Sequence, residues 1–236
     1  MQGSAPNKVG SMHSANQQSR RRAFIELATS YVLILVVCWT PRPWQKYLWC
    51  LAAASVVAIF SASFEGLGAM GLRPANFFRS LWIPGAALAI AVSAFVVAAM
   101  LGTLHLPGGV VPFIKTYWAY ALWAGVQQFL LQCFFLPRIR RLISAPVLAA
   151  LLAALLFSIA HLPNPILTVI TMIWGFAACI LFLRYRNLYP LAMAHAIFGI
   201  ALAVTVPGYV DHNMRVGLGY LTYRQHRHPP AASPQP

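Results

Sequence analysis

The stretch AGVQQFLLQCFF, residues 124–135, decides how this sequence folds. It lies inside an apolar run, and the whole chain of 236 residues is 60% hydrophobic and only 8% charged. Ordinary soluble domains are roughly 45–50% apolar and about 25% charged. The sequence therefore predicts an all-α, polytopic membrane protein, integral to the lipid bilayer. Within this stretch, Gln127, Gln128 and Gln132 place three amides in a membrane helix, where each amide needs a partner or a use.

Apolar runs of about the length that crosses a bilayer recur along the chain, and we expect about seven transmembrane helices. The fifth run is short before Pro163 and is expected to end below the membrane surface. Residues 1–22 are predicted to form a disordered basic tail, residues 23–206 the transmembrane helical domain, and residues 207–236 a mostly disordered second tail. The predicted spans are 23–40, 44–64, 80–101, 118–136, 145–161, 165–183 and 188–206.

The formal charge of +14 does not indicate a nucleic-acid partner. Its basic residues are scattered between apolar runs and form no aromatic-interleaved patch. If the N-terminus is cytoplasmic, eleven of the 17 Lys and Arg residues fall in cytoplasmic segments and six in external ones. The positive-inside rule therefore favours a cytoplasmic N-terminus.

The acidic residues and the cysteines limit the chemistry that this chain can perform. Glu26, Glu65 and Asp211 are its only acids, and Glu26 is expected to pair with the basic cluster that ends at Arg22. Four cysteines lie in apolar runs without C-x-x-C spacing, so no zinc site or disulfide framework follows. We expect no metal and no cofactor. Ligation of one haem by two histidines is the alternative that imidazole chemistry leaves open.

Polar residues within membrane spans mark functional sites by default, because they face the protein interior. The candidates here are the three glutamines, His161 at the end of the fifth run, and His195 in the seventh. We expect them to line one cavity. The alternative is structural: the amides hydrogen-bond neighbouring helices and the histidines are satisfied within the bundle.

Three short motifs then suggest a family. QQFLLQ at 127–132, FSIAH at 157–161 and HAIFG at 195–199 resemble, in order and separation, the CPBP family of intramembrane endopeptidases, which includes the CAAX-prenyl-protease-like proteins. That family shows Glu-Glu-x-x-x-Arg, Phe-x-x-x-His and His-x-x-x-Asn on successive helices. The resemblance covers about residues 70–205 and implies a CPBP-type helical bundle.

The resemblance also implies roles for individual positions. The first Glu of the family is taken as the base that activates water, assisted by the His of the second motif, while the third motif stabilises the oxyanion. Carried over, the catalytic positions are Gln127, Gln128, His161 and His195, and the supporting cavity positions are Gln132 in place of the Arg, Phe157, and Gly199 in place of the Asn.

The substitution at position 127 bears directly on activity. A primary amide cannot take a proton from water near neutral pH, and loss of a positioned general base costs on the order of 10² to 10⁴ in rate. We therefore expect an impaired or altered endopeptidase that acts on a hydrophobic or lipidated peptide or a membrane protein. The alternatives are a non-enzymatic protein that binds such a peptide in the retained cavity, and a transporter or haem carrier. The resemblance implies a bacterial inner membrane.

Overall fold

The computed structural model describes residues 8–64, 66–68, 70–74 and 76–223. Every regular element in these ranges is helical, which confirms the all-α class. The elements are α1 (Lys8–Cys38), α2 (Arg42–Ala62), α3 (Phe77–Ser80), α4 (Trp82–Met100), α5 (Val110–Phe129), a π-helical segment (Leu130–Phe135), α6 (Leu136–Leu142), α7 (Pro146–Ile159), α8 (Pro165–Tyr185), α9 (Tyr189–Thr205), α10 (Gly208–Asp211) and α11 (Gly217–Leu221).

The helices are those of an integral membrane protein. Four helical stretches in the described part of the chain are long and apolar enough to cross a bilayer: 42–62, 77–100, 110–142 and 165–185. Helices α7 and α9 are apolar but shorter. At 1.5 Å per residue, the 14 residues of α7 span about 21 Å, less than the roughly 30 Å of a hydrocarbon core. Helix α7 is therefore shorter than a full crossing, while its end below the membrane surface and the seven complete crossings stay predictions.

Both predicted tails differ from the structure where it describes them. Residues 8–22 continue the helix of the first span instead of being disordered. This end of α1 is held by Arg20, whose guanidinium donates to the Leu142 carbonyl at 3.0 Å, and by Arg22, which donates to the Ala62 carbonyl at 3.2 Å. Residues 208–211 and 217–221 are helical too. Residues 1–7 and 224–236 of the two predicted tails lie outside the described residues.

A π-helical segment follows the first two glutamines and changes the register of the long helix. Pro137 lies two residues into α6 and has no N–H to bond the carbonyl four residues earlier, at Cys133. A wider turn accommodates that break, and such π turns recur at functional sites. The segment therefore separates the register of the glutamines from that of Arg138.

Close packing of α7 on α8 fixes where the chain turns after α7. Ala149, Ala150, Ala153 and Ala154 of α7 are completely buried. A Cβ on Gly175 of α8 would lie 3.1 Å from the Phe157 ring and 3.4 Å from the Ala154 backbone. Small residues at such an interface let two membrane helices approach closely. The loop at 160–164 therefore joins two closely packed helices.

Candidate functional site

A cavity of about 500 Å³ lies between α1, α5, α7, α8, α9 and the segment that follows α9. It brings together Gln127 from α5, Phe157 and His161 from the end of α7 and its loop, and His195 from α9. The other lining residues are mostly apolar or aromatic: Tyr31, Ile34, Cys38, Thr116, Tyr117, Tyr120, Trp123, Leu130, Leu131, Phe135, Leu156, Ala160, Leu167, Thr171, Ala203, Asn213, Met214 and Val216.

The adjacent glutamines occupy different environments. Gln127 is half-buried and lines the cavity, whereas Gln128, about 100° further around the helix, is completely buried and does not line it. Gln128 instead contacts α9, with its amide nitrogen 2.9 Å from Nδ1 of His195. The structure therefore brings Gln128 to His195 and Gln127 to the open space.

A chain of hydrogen bonds fixes the protonation of His195. The amide nitrogen of Gln132 donates to Oε1 of Gln128 at 3.3 Å, so the remaining polar end of Gln128 is its amide N–H group. That group donates to Nδ1 of His195, which must be the unprotonated ring nitrogen. The neutral imidazole then carries its proton on Nε2, and His195 can act as a hydrogen-bond donor at the cavity wall.

His161 is fixed in the opposite tautomer. Its Nδ1 lies 2.7 Å from the carbonyl oxygen of Phe157, and because a carbonyl only accepts, Nδ1 carries the proton. Nε2 of the neutral ring is then an acceptor. The ring of Phe157 packs edge-on against both imidazoles, with centroid distances of 4.9 Å to His161 and 5.9 Å to His195. One aromatic ring thus packs against both a histidine acceptor and a histidine donor.

Among the described residues, no acidic side chain lines this cavity. Glu26 lies at the α1–α6 contact, where it bonds Arg22 at 2.7 Å and Arg138 at 2.9 Å. Asp211 is buried in α10, where Oδ1 accepts from the Asn213 backbone at 2.9 Å. Glu65 lies outside the described residues. The basic partner expected for Glu26 is therefore confirmed at Arg22, and Arg138 adds a second one.

Gly199 stands where the family motif carries an Asn, and a side chain from α5 occupies the space beside it. Gly199 faces Tyr120 of α5 so closely that a Cβ at position 199 would lie 1.6 Å from the phenol oxygen. Tyr120 was not among the predicted site residues, although a signal existed. It precedes Gln127 by seven residues, a spacing that puts both on one helix face.

The segment after α9 forms a further part of the wall that the sequence did not predict. The side-chain amide of Asn164 donates to the Asp211 and Arg215 carbonyls at 2.7 and 3.1 Å, and the Gly217 N–H donates to the Leu162 carbonyl at 2.8 Å. These bonds tie residues 207–217 to the loop that carries His161. From the sequence, the polar composition of this segment predicted disorder. Its hydrogen-bond partners lie about 50 residues away in the chain, so no local pattern reveals them.

Within the described ranges, no group of three His, Cys, Asp or Glu side chains could hold a metal ion. The two cavity histidines already use one ring nitrogen each, in bonds to Phe157 and Gln128. What remains is a neutral site with one acceptor and one donor imidazole, beside an amide.

Comparison with known families agrees with the motifs. Residues 112–201 match the model of the family described as type II CAAX prenyl endopeptidase Rce1-like. Neither the curated proteins nor the solved structures gave a match. The matched range covers α5 to α9, which carry Gln127, His161 and His195. The chain is thus a polytopic membrane protein whose residues 112–201 are similar to the CAAX-protease-like intramembrane endopeptidases of the CPBP family.

Proposed function

We propose that this chain is an intramembrane endopeptidase with impaired water activation, which takes a hydrophobic or lipidated peptide into the cavity. The observation that carries the proposal is that Gln127, His161 and His195 line one cavity while Gln127 stands where the resemblance puts the catalytic carboxylate. An apolar cavity of about 500 Å³ with a few polar groups is typical of a ligand site. It is large enough for part of a peptide or lipid chain.

The residues that remain support a slow hydrolysis. Water held at Nε2 of His161 would give up its proton to that nitrogen as it attacks the peptide carbonyl. The oxyanion would accept from Nε2–H of His195, and the protonated His161 would return the proton to the leaving amine. Gln127 orients the water by hydrogen bonding but takes no proton from it. A histidine without a carboxylate beside it makes a weaker base catalyst.

Restoring the carboxylate tests this mechanism. The purified protein in proteoliposomes is incubated with a farnesylated peptide and with its unprenylated counterpart, and products are measured by mass spectrometry. We expect slow cleavage by the wild type, a loss in His161→Ala, and a gain of about 10² to 10⁴ in Gln127→Glu. Gln45→Glu is the matched control, because it adds the same charge on α2, away from the cavity. An equal gain in both Glu variants would contradict the assignment.

The second candidate is a non-enzymatic peptide-binding protein, favoured by the lack of an acidic side chain on the cavity wall within the described residues. It predicts that the wild type binds the farnesylated peptide without cleaving it. Cleavage that appears only in Gln127→Glu would identify this case, since the scaffold would then still support hydrolysis once a base is supplied.

We also propose a cytoplasmic N-terminus and, from the family resemblance, a bacterial inner membrane. The eleven-to-six distribution of Lys and Arg supports this orientation. Single cysteines placed at Ser14 and at Gly108 in a cysteine-free background should label from opposite sides of the membrane with an impermeant maleimide. Labelling of Ser14→Cys from the periplasmic side would reverse the orientation.

A further inference from the structure

The phenol of Tyr120 occupies the space that a side chain at position 199 would fill. A Cβ on Gly199 would lie 1.6, 2.2 and 2.5 Å from Oη, Cζ and Cε1 of Tyr120. Real Cβ atoms do not approach other atoms so closely, so the glycine and the tyrosine fit only as a pair. The space beside Gly199 is therefore not empty, because the hydroxyl of Tyr120 from α5 occupies it.

The position of that hydroxyl is defined by both helices. Gly199 follows His195 by four residues and lies on the same face of α9, one turn along. Tyr120 lines the same cavity as His195 and Gln127. The Tyr120 hydroxyl thus lies against α9 at Gly199, one helical turn after His195.

The hydroxyl has a proton to donate to a ligand. Buried tyrosine hydroxyls usually find a hydrogen-bond partner. In the described part of the chain, Tyr120 Oη has no hydrogen-bond partner. It is also not one of the fully buried polar atoms that lack a partner. A phenol is neutral at physiological pH and a good donor to a carbonyl oxygen.

We propose that Tyr120 is a substrate-binding residue whose hydroxyl donates a hydrogen bond to a backbone carbonyl of the bound peptide, beside the Nε2–H group of His195. It takes over, from a different helix, the donor that Gly199 does not provide. The inference rests on the proposed peptide-binding function. It adds a residue outside the three motifs and a specific contact with the peptide backbone.

A double-mutant cycle tests the contact. The probe is a fluorescent farnesylated pentapeptide, together with analogues in which one peptide bond at a time is replaced by an (E)-alkene that lacks the carbonyl oxygen. Affinities are measured for the wild type and for Tyr120→Phe, both in the His161→Ala background so that no cleavage intervenes. The Phe variant keeps the ring against Gly199 and removes only the donor.

We expect Tyr120→Phe to weaken binding of the unmodified peptide by roughly two- to tenfold, as for one neutral hydrogen bond. One alkene analogue should weaken binding to the tyrosine protein by a similar factor and leave binding to the Phe protein unchanged. Tyr117→Phe, which removes a hydroxyl from the same helix, should show no coupling to that peptide bond.

The outcomes separate the two proposals. Binding that is equal in the tyrosine and Phe proteins for every analogue would overturn the role of Tyr120 and leave the peptide-binding function standing. Failure of the tyrosine protein to bind the farnesylated or the unprenylated peptide at all would overturn the function, and this contact with it. Coupling at Tyr117 as strong as at Tyr120 would also overturn the assignment.

Discussion

Two polar clusters in this molecule are built from opposite kinds of group, one charged and one neutral. The charged cluster, at the contact of α1 with α6, consists of Glu26, Arg138, Arg22 and Ser63, with Glu26 bonded to both arginines and Arg138 bonded to Ser63 at 2.8 Å. The cavity cluster consists of Gln127, Gln128, His161 and His195, all formally neutral as bonded here.

The contrast shows where this chain uses its few acids. Carboxylates are scarce, and the one at position 26 is fully engaged: it neutralises Arg138, which also stacks 3.7 Å from the Phe134 ring and donates to the Phe134 carbonyl. The charged cluster shares one carboxylate between two arginines and adjoins only a narrow crevice, while the cavity cluster borders a wide space. One cluster therefore joins α1 to α6, and the other faces the open cavity.

The largest effect is expected from breaking the charged cluster. Arg138→Ala leaves Glu26 buried beside the exposed Arg22 only, and removing one partner of a buried ion pair typically costs about 3–5 kcal/mol. The free energy of unfolding, measured by SDS titration in mixed micelles, should fall by that amount. A loss below about 1 kcal/mol would mean that the charged cluster is not structural.

Two controls isolate the pairing. Arg22→Ala should cost no more than about 1 kcal/mol, because its side chain is 55% exposed and a surface ion pair contributes little. The double variant Glu26→Gln/Arg138→Met removes both charges and should recover most of the loss of Arg138→Ala, since replacement of a whole buried pair is often neutral.

The next effect concerns the loop that carries His161. Asn164 accepts from the Leu167 N–H at the start of α8 and donates to two carbonyls of the segment after α9. Asn164→Ala loses a cap of about 1 kcal/mol and leaves buried carbonyls unpaired, for a total of about 2–3 kcal/mol in unfolding free energy. Asn164→Asp keeps the capping oxygen and loses the two donated bonds, so it separates the contributions. Equal stability of Asn164→Ala and wild type would show that this connection is not needed.

A smaller loss, about 1–3 kcal/mol, is expected from Gly199→Ala, because the added methyl overlaps the Tyr120 phenol and α5 must move from α9. The double variant Tyr120→Ala/Gly199→Ala removes the overlap. It should be more stable than Tyr120→Phe/Gly199→Ala, which keeps the ring. Thermal unfolding in detergent measures the order of these variants. If Gly199→Ala alone is as stable as the wild type, the close approach of α5 to α9 is relaxed in solution.

The sequence predicts the helices well and the side-chain contacts poorly, for a physical reason. Apolar runs report burial in lipid, which is a local property, and every predicted span overlaps a helix. The contact of Tyr120 with Gly199 joins residues 79 positions apart, and no local pattern encodes it. The bonds from Asn164 to the segment after α9 are equally non-local, so a polar segment that folds onto the bundle resembled a disordered tail.

At the candidate site too, the sequence predicts part of the cavity wall but not the side-chain contacts. The expectation that the three glutamines and the two histidines line one cavity holds for Gln127, His161 and His195. It is wrong for Gln128 and Gln132, which are completely buried at helix contacts and do not line the cavity, and Gly199 does not line it either. The bond from Gln128 to Nδ1 of His195 depends on how α5 and α9 cross and was not predicted. The tautomers of the two histidines follow from such contacts, so the direction of each hydrogen bond at the site required the structure.

The smallest expected effect is that of Gln127→Leu in the cavity cluster, and the same substitution at the neighbouring Gln128 is its comparison. Gln128→Leu removes the donor to His195 and the acceptor of Gln132, and leaving such buried groups unpaired costs about 1–3 kcal/mol. Gln127→Leu removes an amide that borders the cavity, where water can solvate the groups around it, so unfolding free energy should change by less than about 0.5 kcal/mol. SDS titration of both variants compares the same substitution at two consecutive positions, one facing the helix contact and one facing the open space. Equal losses would mean that Gln127 is a packing residue, and its place on the wall would then not reflect a ligand. If only Gln128→Leu lowers the unfolding free energy, Gln127 does not stabilise the fold. That result is expected for a side chain that contacts water or a peptide.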